Sequence, residues 1–239
     1  MPRVLPAPRP MPAGALLQLI WLASPALPVG GFAYSEVLES AVDAGLVVDE
    51  TGACRWLLDQ LMLLQQRSEL PLLAAAFKAW QRDDAPRLEA LNTWALHTRE
   101  TRELRQQAGQ MGRSMADWLR QRRPDDPRLA TLAGLLPAPA WPLAWALAAA
   151  GSGAPLRESL LAFGFGWCEA MVQAALKAVP LGQAAGQRLL GRLADALPAA
   201  VDAAISQAAQ GDGGRQSFAP MMAILSARHE AQYSRLFRS

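Results

Sequence analysis

Apolar residues in this chain recur at steps of three and four, the spacing that keeps side chains on one face of a helix. The longest such stripe is Trp94, His97, Thr101, Leu104, Ala108, Met111, Met115 and Trp118, which predicts one helix from Pro86 to about Gln121. Pro86 suits a first helical turn, where its missing N–H costs nothing. The same spacing predicts helices over 14–23, 127–135, 142–150 and 155–178, and two more over 183–196 and 199–209. Tyr34, Leu38 and Ala41 share a shorter helical register that Gly45 can close. Asp49 is placed to cap a helix carrying Cys54, Leu57, Leu61 and Leu64, Ser68 to cap the next, and Ser217 to cap the last. No stretch alternates with period two. The fold class is therefore all-α, a single compact domain of about ten helices with no significant sheet. The expected organisation is a disordered proline-rich arm over 1–13, a helical domain over 14–227 and a tail over 228–239.

Composition sharpens this picture. Hydrophobic residues make up 51% and charged residues 18%, enough apolar material for a large core and enough to expect poor solubility without a partner. A net charge of +2 is too small for a protein that tracks nucleic-acid phosphates. Two cysteines and two histidines cannot supply a disulfide framework or a His-rich metal site, which points to a cytoplasmic protein. Residues 129–156 carry no charge, but Pro137, Pro139, Pro142 and Pro155 cut the stretch into pieces too short to span a bilayer. The first residues resemble an export signal, yet prolines fill their basic region and Gln18 interrupts the apolar run.

Few groupings offer chemistry. His97 with Glu100 could act as a general base oriented by a carboxylate, the centre of a small all-α hydrolase; the plainer reading is a histidine satisfied in the core. Arg99 and Glu103, like Arg113 and Asp117, are four apart and suited to pairing along a helix. Glu39 and Asp43 are four apart and could form a paired-carboxylate site; with Glu36 on the same helix they read as a solvated acidic edge or a partner contact. PVGGF lacks the Lys-Ser/Thr ending of a phosphate loop. In KAVPLGQAAGQRLL, Gly182 and Gly186 permit close approach while Gln183 and Gln187 offer amides, which fits either a helical corner or an interface. The tail RHEAQYSRLFRS interleaves Arg228, Arg235 and Arg238 with Tyr233, Leu236 and Phe237, residue types that concentrate in interfaces. It can fold back on its own domain, but docking on a partner suits its composition better.

The stretches LASPALPVGGFAYSEVLE, RETRELRQQAGQMGRSM, KAVPLGQAAGQRLL and SARHEAQYSRLFRS resemble, in order, the hallmark segments of the urease accessory protein UreF family. The resemblance implies a non-catalytic, all-α homodimer without cofactors of its own, working in nickel urease maturation. Its implied partners are a UreD-type (UreH) accessory protein, the nickel-carrying GTPase UreG and apo-urease; nickel transits the complex and GTP is bound by UreG. Glu39 and Lys177 match positions linked to control of the GTPase step, and both are expected at an exposed surface. Gly30, Tyr34 and Ser35 match the first hallmark segment. Arg228, His229, Glu230, Tyr233, Ser234, Arg235, Leu236 and Phe237 match the segment that engages UreD-type partners. A chain ending at Ala227 is expected to lose that partner and keep its helical fold. Arg99 or Arg102 could instead supply an arginine finger to the GTPase. One departure is Val37, where the family usually has Gly; a β-branched residue adds bulk where a partner backbone would approach.

Overall fold

Two helices without a polar face occupy the middle of the molecule. Helix α4 (Leu70–Gln81) and helix α8 (Trp141–Ala150) pack on one another with nearly every side chain buried. The Trp80 indole donates to the Leu143 carbonyl at 2.9 Å, and the Trp145 indole donates to the Leu22 carbonyl at 3.3 Å. Each large aromatic body is thereby buried without orphaning its N–H. The computed structural model describes residues 10–239, and among these every regular element is helical, so the all-α expectation holds. Most of the expected proline-rich arm lies outside the described residues.

Around this centre lie α1 (Ala13–Ala23), α2 (Leu38–Asp43), α3 (Glu50–Gln60), α5 (Ala85–His97), α6 (Arg102–Arg122), α7 (Arg128–Gly134), α9 (Leu156–Ala178), α10 (Gln183–Ala209) and α11 (Pro220–Glu230). Helices α9 and α10 form a hairpin, and the 182–187 segment is its corner, with Gly186 against the Leu176 side chain. Gln183 and Gln187 point to solvent from α10. Helix α9 is long and apolar enough to cross a membrane by length and composition, but half of its most apolar window is buried in this fold.

Four predicted boundaries differ. The long helix breaks at 98–101, because the Thr101 hydroxyl accepts from the Leu104 N–H and caps a new helix. Ser68 caps nothing; α3 runs through a π-helical segment, Leu61–Glu69, directly into α4. Pro71 has no N–H for the Arg67 carbonyl four residues earlier, and that carbonyl accepts instead from Gln216 N at 3.0 Å. At the other extreme, α10 continues through Pro198, with Leu193, Leu197, Ala200 and Val201 all buried around it. Ser217 donates to the Thr98 carbonyl rather than capping α11. Asp49 does cap α3, accepting from Gly52 N at 2.7 Å.

Candidate functional site

The C-terminal tail is built into the core. His229, on the last turn of α11, is fully buried, and Phe237 and Ser239 are also buried. Glu39, in the first turn of α2 and only 5% exposed, receives the Leu236 amide on Oε1 at 2.6 Å and the Phe237 amide on Oε2 at 2.9 Å. Its Oε2 also lies 3.3 Å from His229 Nε2. The other imidazole nitrogen, Nδ1, is 2.6 Å from Glu103 Oε2, and Glu103 Oε1 is held by Arg235. The Glu230 carboxylate accepts from the Glu103 backbone N–H at 3.0 Å. The imidazole thus sits between two carboxylates, each of which also grips the tail.

Serine chemistry anchors the far end. The Ser239 carbonyl oxygen accepts from both the Ser35 amide, at 2.8 Å, and the Ser35 hydroxyl, at 2.7 Å. The Arg238 amide donates to the Ala33 carbonyl at 2.8 Å, and the Ser239 hydroxyl donates to Gln107 Oε1 at 2.6 Å. Between Ser35 and Glu39 the backbone passes through two left-handed residues, Glu36 at φ 47° and Val37 at φ 74°. This turn aims Ser35 and Glu39 at the same tail. A β-branched residue is strained in that region, which suits glycine; Val37 holds it with its side chain entirely buried. The added bulk therefore enters the core and does not meet a partner.

Several expectations are corrected. Glu39 is not an exposed carboxylate, and Glu36, Glu39 and Asp43 do not form a solvated acidic edge: only Asp43 is exposed, accepting from Gln232. Tyr34 and Ser35 are buried and so cannot themselves form a partner surface. Gly30 adopts the left-handed conformation at the entry to a short 3₁₀ turn, Gly31–Ala33. Neither predicted helical ion pair forms: Arg99 is held by Glu69 at 2.7 Å, Arg113 by Gln110, and Asp117 by Arg120. Bound in a mostly buried pair, Arg99 is not free to act as an arginine finger. His97 is exposed rather than in the core, its Nδ1 facing only its own helix's Thr93 carbonyl at 2.8 Å, with no hydrogen bond to Glu100. The tail does fold back on its own domain, yet Arg228, Tyr233, Ser234 and Leu236 remain exposed.

Lys177 is exposed at the end of α9, and its ammonium lies 5.8 Å from the Phe237 ring centroid. The fold thus brings Glu39 and Lys177, 138 positions apart, onto one tail residue. Beside them opens a largely apolar cleft of about 190 Å³, lined by Phe32, Met111, Phe163, Trp167 and Lys177, with Glu36 among its polar residues. The Trp167 indole donates to Glu36 Oε2 at 2.8 Å and Gln107 to Oε1 at 3.1 Å. Burial raises the Glu36 carboxyl above its ordinary value, against the pull of the Trp167 hydrogen bond. A raised folded value means a stabilising contribution that is full below the ordinary carboxylate range and lost as pH rises through the folded value. Glu36→Gln, which keeps an acceptor for Trp167, should therefore melt progressively above the parent as pH climbs from 4 to 8. Parallel melting curves across that range would assign the pH dependence elsewhere.

Cys54 and Cys168 are both free, and burial pushes the Cys168 thiol up to about 12, which leaves it unreactive at neutral pH. Among the described residues, no three His, Cys, Asp or Glu side chains are grouped to hold a metal ion. Sequence reasoning missed Glu103 and Gln107 as parts of the tail site. The available signal was their spacing of four on α6, beside Leu104 and Ala108 on the buried stripe.

Fold and site together define an all-helical protein whose distinctive surface is its own C-terminus, clasped from beneath by buried carboxylates. The family model for UreF matches residues 47–194, and the chain belongs to the UreF family of urease accessory proteins. It is 61% identical to the urease accessory protein UreF of Methylibium petroleiphilum over the whole of both chains. It is 58% identical to that of Paracidovorax citrulli, covering 98% of this chain and 92% of the relative. A bifunctional urease accessory protein UreEF of Bordetella bronchiseptica is 45% identical over 95% of this chain and 52% of its own length.

Proposed function

We propose that this chain is a non-catalytic cytoplasmic scaffold of urease maturation. It docks a UreD-type accessory protein through its C-terminal tail, recruits a UreG-type GTPase, and regulates GTP hydrolysis while nickel is delivered to apo-urease. The observation that carries this reading is the outer face of the tail. Tyr233 is fully exposed and Leu236 is 71% exposed, although the Leu236 and Phe237 amides are tied to the buried Glu39. A rigid aromatic and an aliphatic anchor held outward on a fixed backbone are what an interface core uses, because little further ordering entropy is lost on binding. Lys177, exposed beside Phe237, supplies a cation at the edge of the same face and is the residue we assign to the GTPase step. Membership of a family of urease accessory proteins, and a relative that fuses UreE with UreF, support action within an assembly. The exposed apolar stripe Leu16, Leu17 and Ile20 on α1 supports homodimerisation.

Co-expression with UreD-type and UreG-type proteins tests the reading. The full chain should capture both, and Tyr233→Ala with Leu236→Ala should lose at least 90% of the captured UreD-type protein without a change in melting temperature. Undiminished capture by the double variant would remove the tail from the docking surface.

A further inference from the structure

We infer that Glu39 is a positioning residue: it shapes the C-terminal tail from beneath and does not itself touch a partner. The inference rests on the docking reading above and names the device that makes the docking face. Glu39 has no spare surface, being 5% exposed, and its two oxygens are occupied by the Leu236 and Phe237 amides and by His229. A single carboxylate that accepts two consecutive backbone N–H groups fixes the direction of the chain at that point. Here it turns Phe237 inward, 6% exposed and under Lys177, and Leu236 outward, 71% exposed. Ser35 and Ala33 tie down Ser239 and Arg238, so the last four residues are held at every backbone position that the turn at 33–39 can reach. His229 joins this clasp to Glu103, which holds Arg235 in turn.

The tail so held leaves Tyr233 and Leu236 exposed, and Arg228 and Arg238 with them, while Phe32, 73% exposed, stands one residue before the Ala33 anchor. Its complement is a protein surface with an apolar centre and a carboxylate-bearing edge. Replacing Glu39 should therefore weaken partner binding through the tail's conformation. Effects on the GTPase step would follow at second hand, because a misplaced Phe237 no longer lies under Lys177.

Amide hydrogen exchange on the full-length chain, read beside capture of the UreD-type partner, tests this. Glu39→Gln keeps the side chain's shape but loses one carboxylate oxygen and the charge facing His229. We expect Leu236 and Phe237 amides to exchange at least tenfold faster, capture to fall at least tenfold, and α4 and α8 amides to stay as protected as in the parent. Tyr233→Ala with Leu236→Ala should lose capture while the Phe237 amide stays protected. If Glu39→Gln weakens capture with unchanged Leu236 and Phe237 protection, Glu39 touches the partner directly and the inference falls. Faster exchange with undiminished capture overturns it equally. Should Glu39→Gln lose protection throughout α4 and α8, Ser35→Ala, which removes the hydroxyl on Ser239, takes its place with the same two readouts. Failure of the parent chain itself to capture the partner would sink the docking reading; with capture by the parent intact, either of the two overturning results for the variants sinks only this inference.

Discussion

Gly112→Ala should be strongly destabilising. A Cβ on Gly112 would lie 1.8 Å from the Pro139 carbonyl oxygen, 2.8 Å from its carbon and 3.0 Å from the Ala140 carbonyl carbon. These are backbone atoms at the entry to α8, and they cannot swing aside as a side-chain tip could. The buried Asn92 side chain fixes the same segment, donating to the Leu136 and Ala138 carbonyls at 3.1 and 2.9 Å and accepting from the Ala140 amide at 2.7 Å. Relief requires α6 to move away from α8, which opens the middle of the core. A cost of about 4 kcal/mol or more is expected, at the upper end for overpacking. That corresponds to a fall of roughly 8–16 °C in melting temperature for a domain of this size. Gly191 on α10 makes the control, since nothing lies within 4 Å of its added Cβ. Gly191→Ala should gain about 0.5–1 kcal/mol from helix propensity. Thermal unfolding by circular dichroism separates the two, and equal melting temperatures would mean that α6 and α8 pack more loosely than described.

A chain ending at Ala227 should lose both its partner and a large part of its stability. The expectation that truncation spares the fold does not survive the burial of His229, Phe237 and Ser239. Removing residues 228–239 strips Glu39 of two amide donors and an imidazole, and Glu103 of an imidazole and a guanidinium. Breaking one buried charge pair costs about 3–5 kcal/mol because the surviving charge stays buried. With two carboxylates exposed to that fate, a melting temperature lower by at least 10 °C is expected at a rate of roughly 2–4 °C per kcal/mol. Loss of partner capture by this truncation alone is thus ambiguous between docking and folding. The Tyr233 and Leu236 double substitution isolates docking, because both side chains are outside the core. A truncated chain that melts with the parent would show that the clasp adds nothing to the fold.

Helix positions were largely legible along the chain, because burial on one face writes a 3.6-residue period into neighbouring residues. Asp49 as a cap, Gly45 as a left-handed stop and the spans of α1, α7, α8 and α9 follow from such local rules. Local rules failed where a distant residue took over a backbone group. Gln216 satisfies the carbonyl that Pro71 leaves free, so a predicted break became a π-helical continuation. Thr101 looked like one more member of a stripe, and only its hydrogen bond to Leu104 N divides α5 from α6.

The candidate site divides the same way. Residue types and hallmark segments in the sequence singled out Glu39, Lys177 and the tail and pointed to the UreF family. They could not say which of those side chains face outward. Glu39 and His229 lie 190 positions apart, and Glu103 and His229 lie 126 apart, so no periodicity records their meeting. A charged residue in a short helix reads as solvated until something buries it with partners for its oxygens. What the sequence determined by itself is an all-helical member of this family with an anchor-rich tail. What only the tertiary structure decided is that Glu39, Glu103 and His229 hold that tail from inside, because their desolvation is tolerable only when the folded chain brings them together.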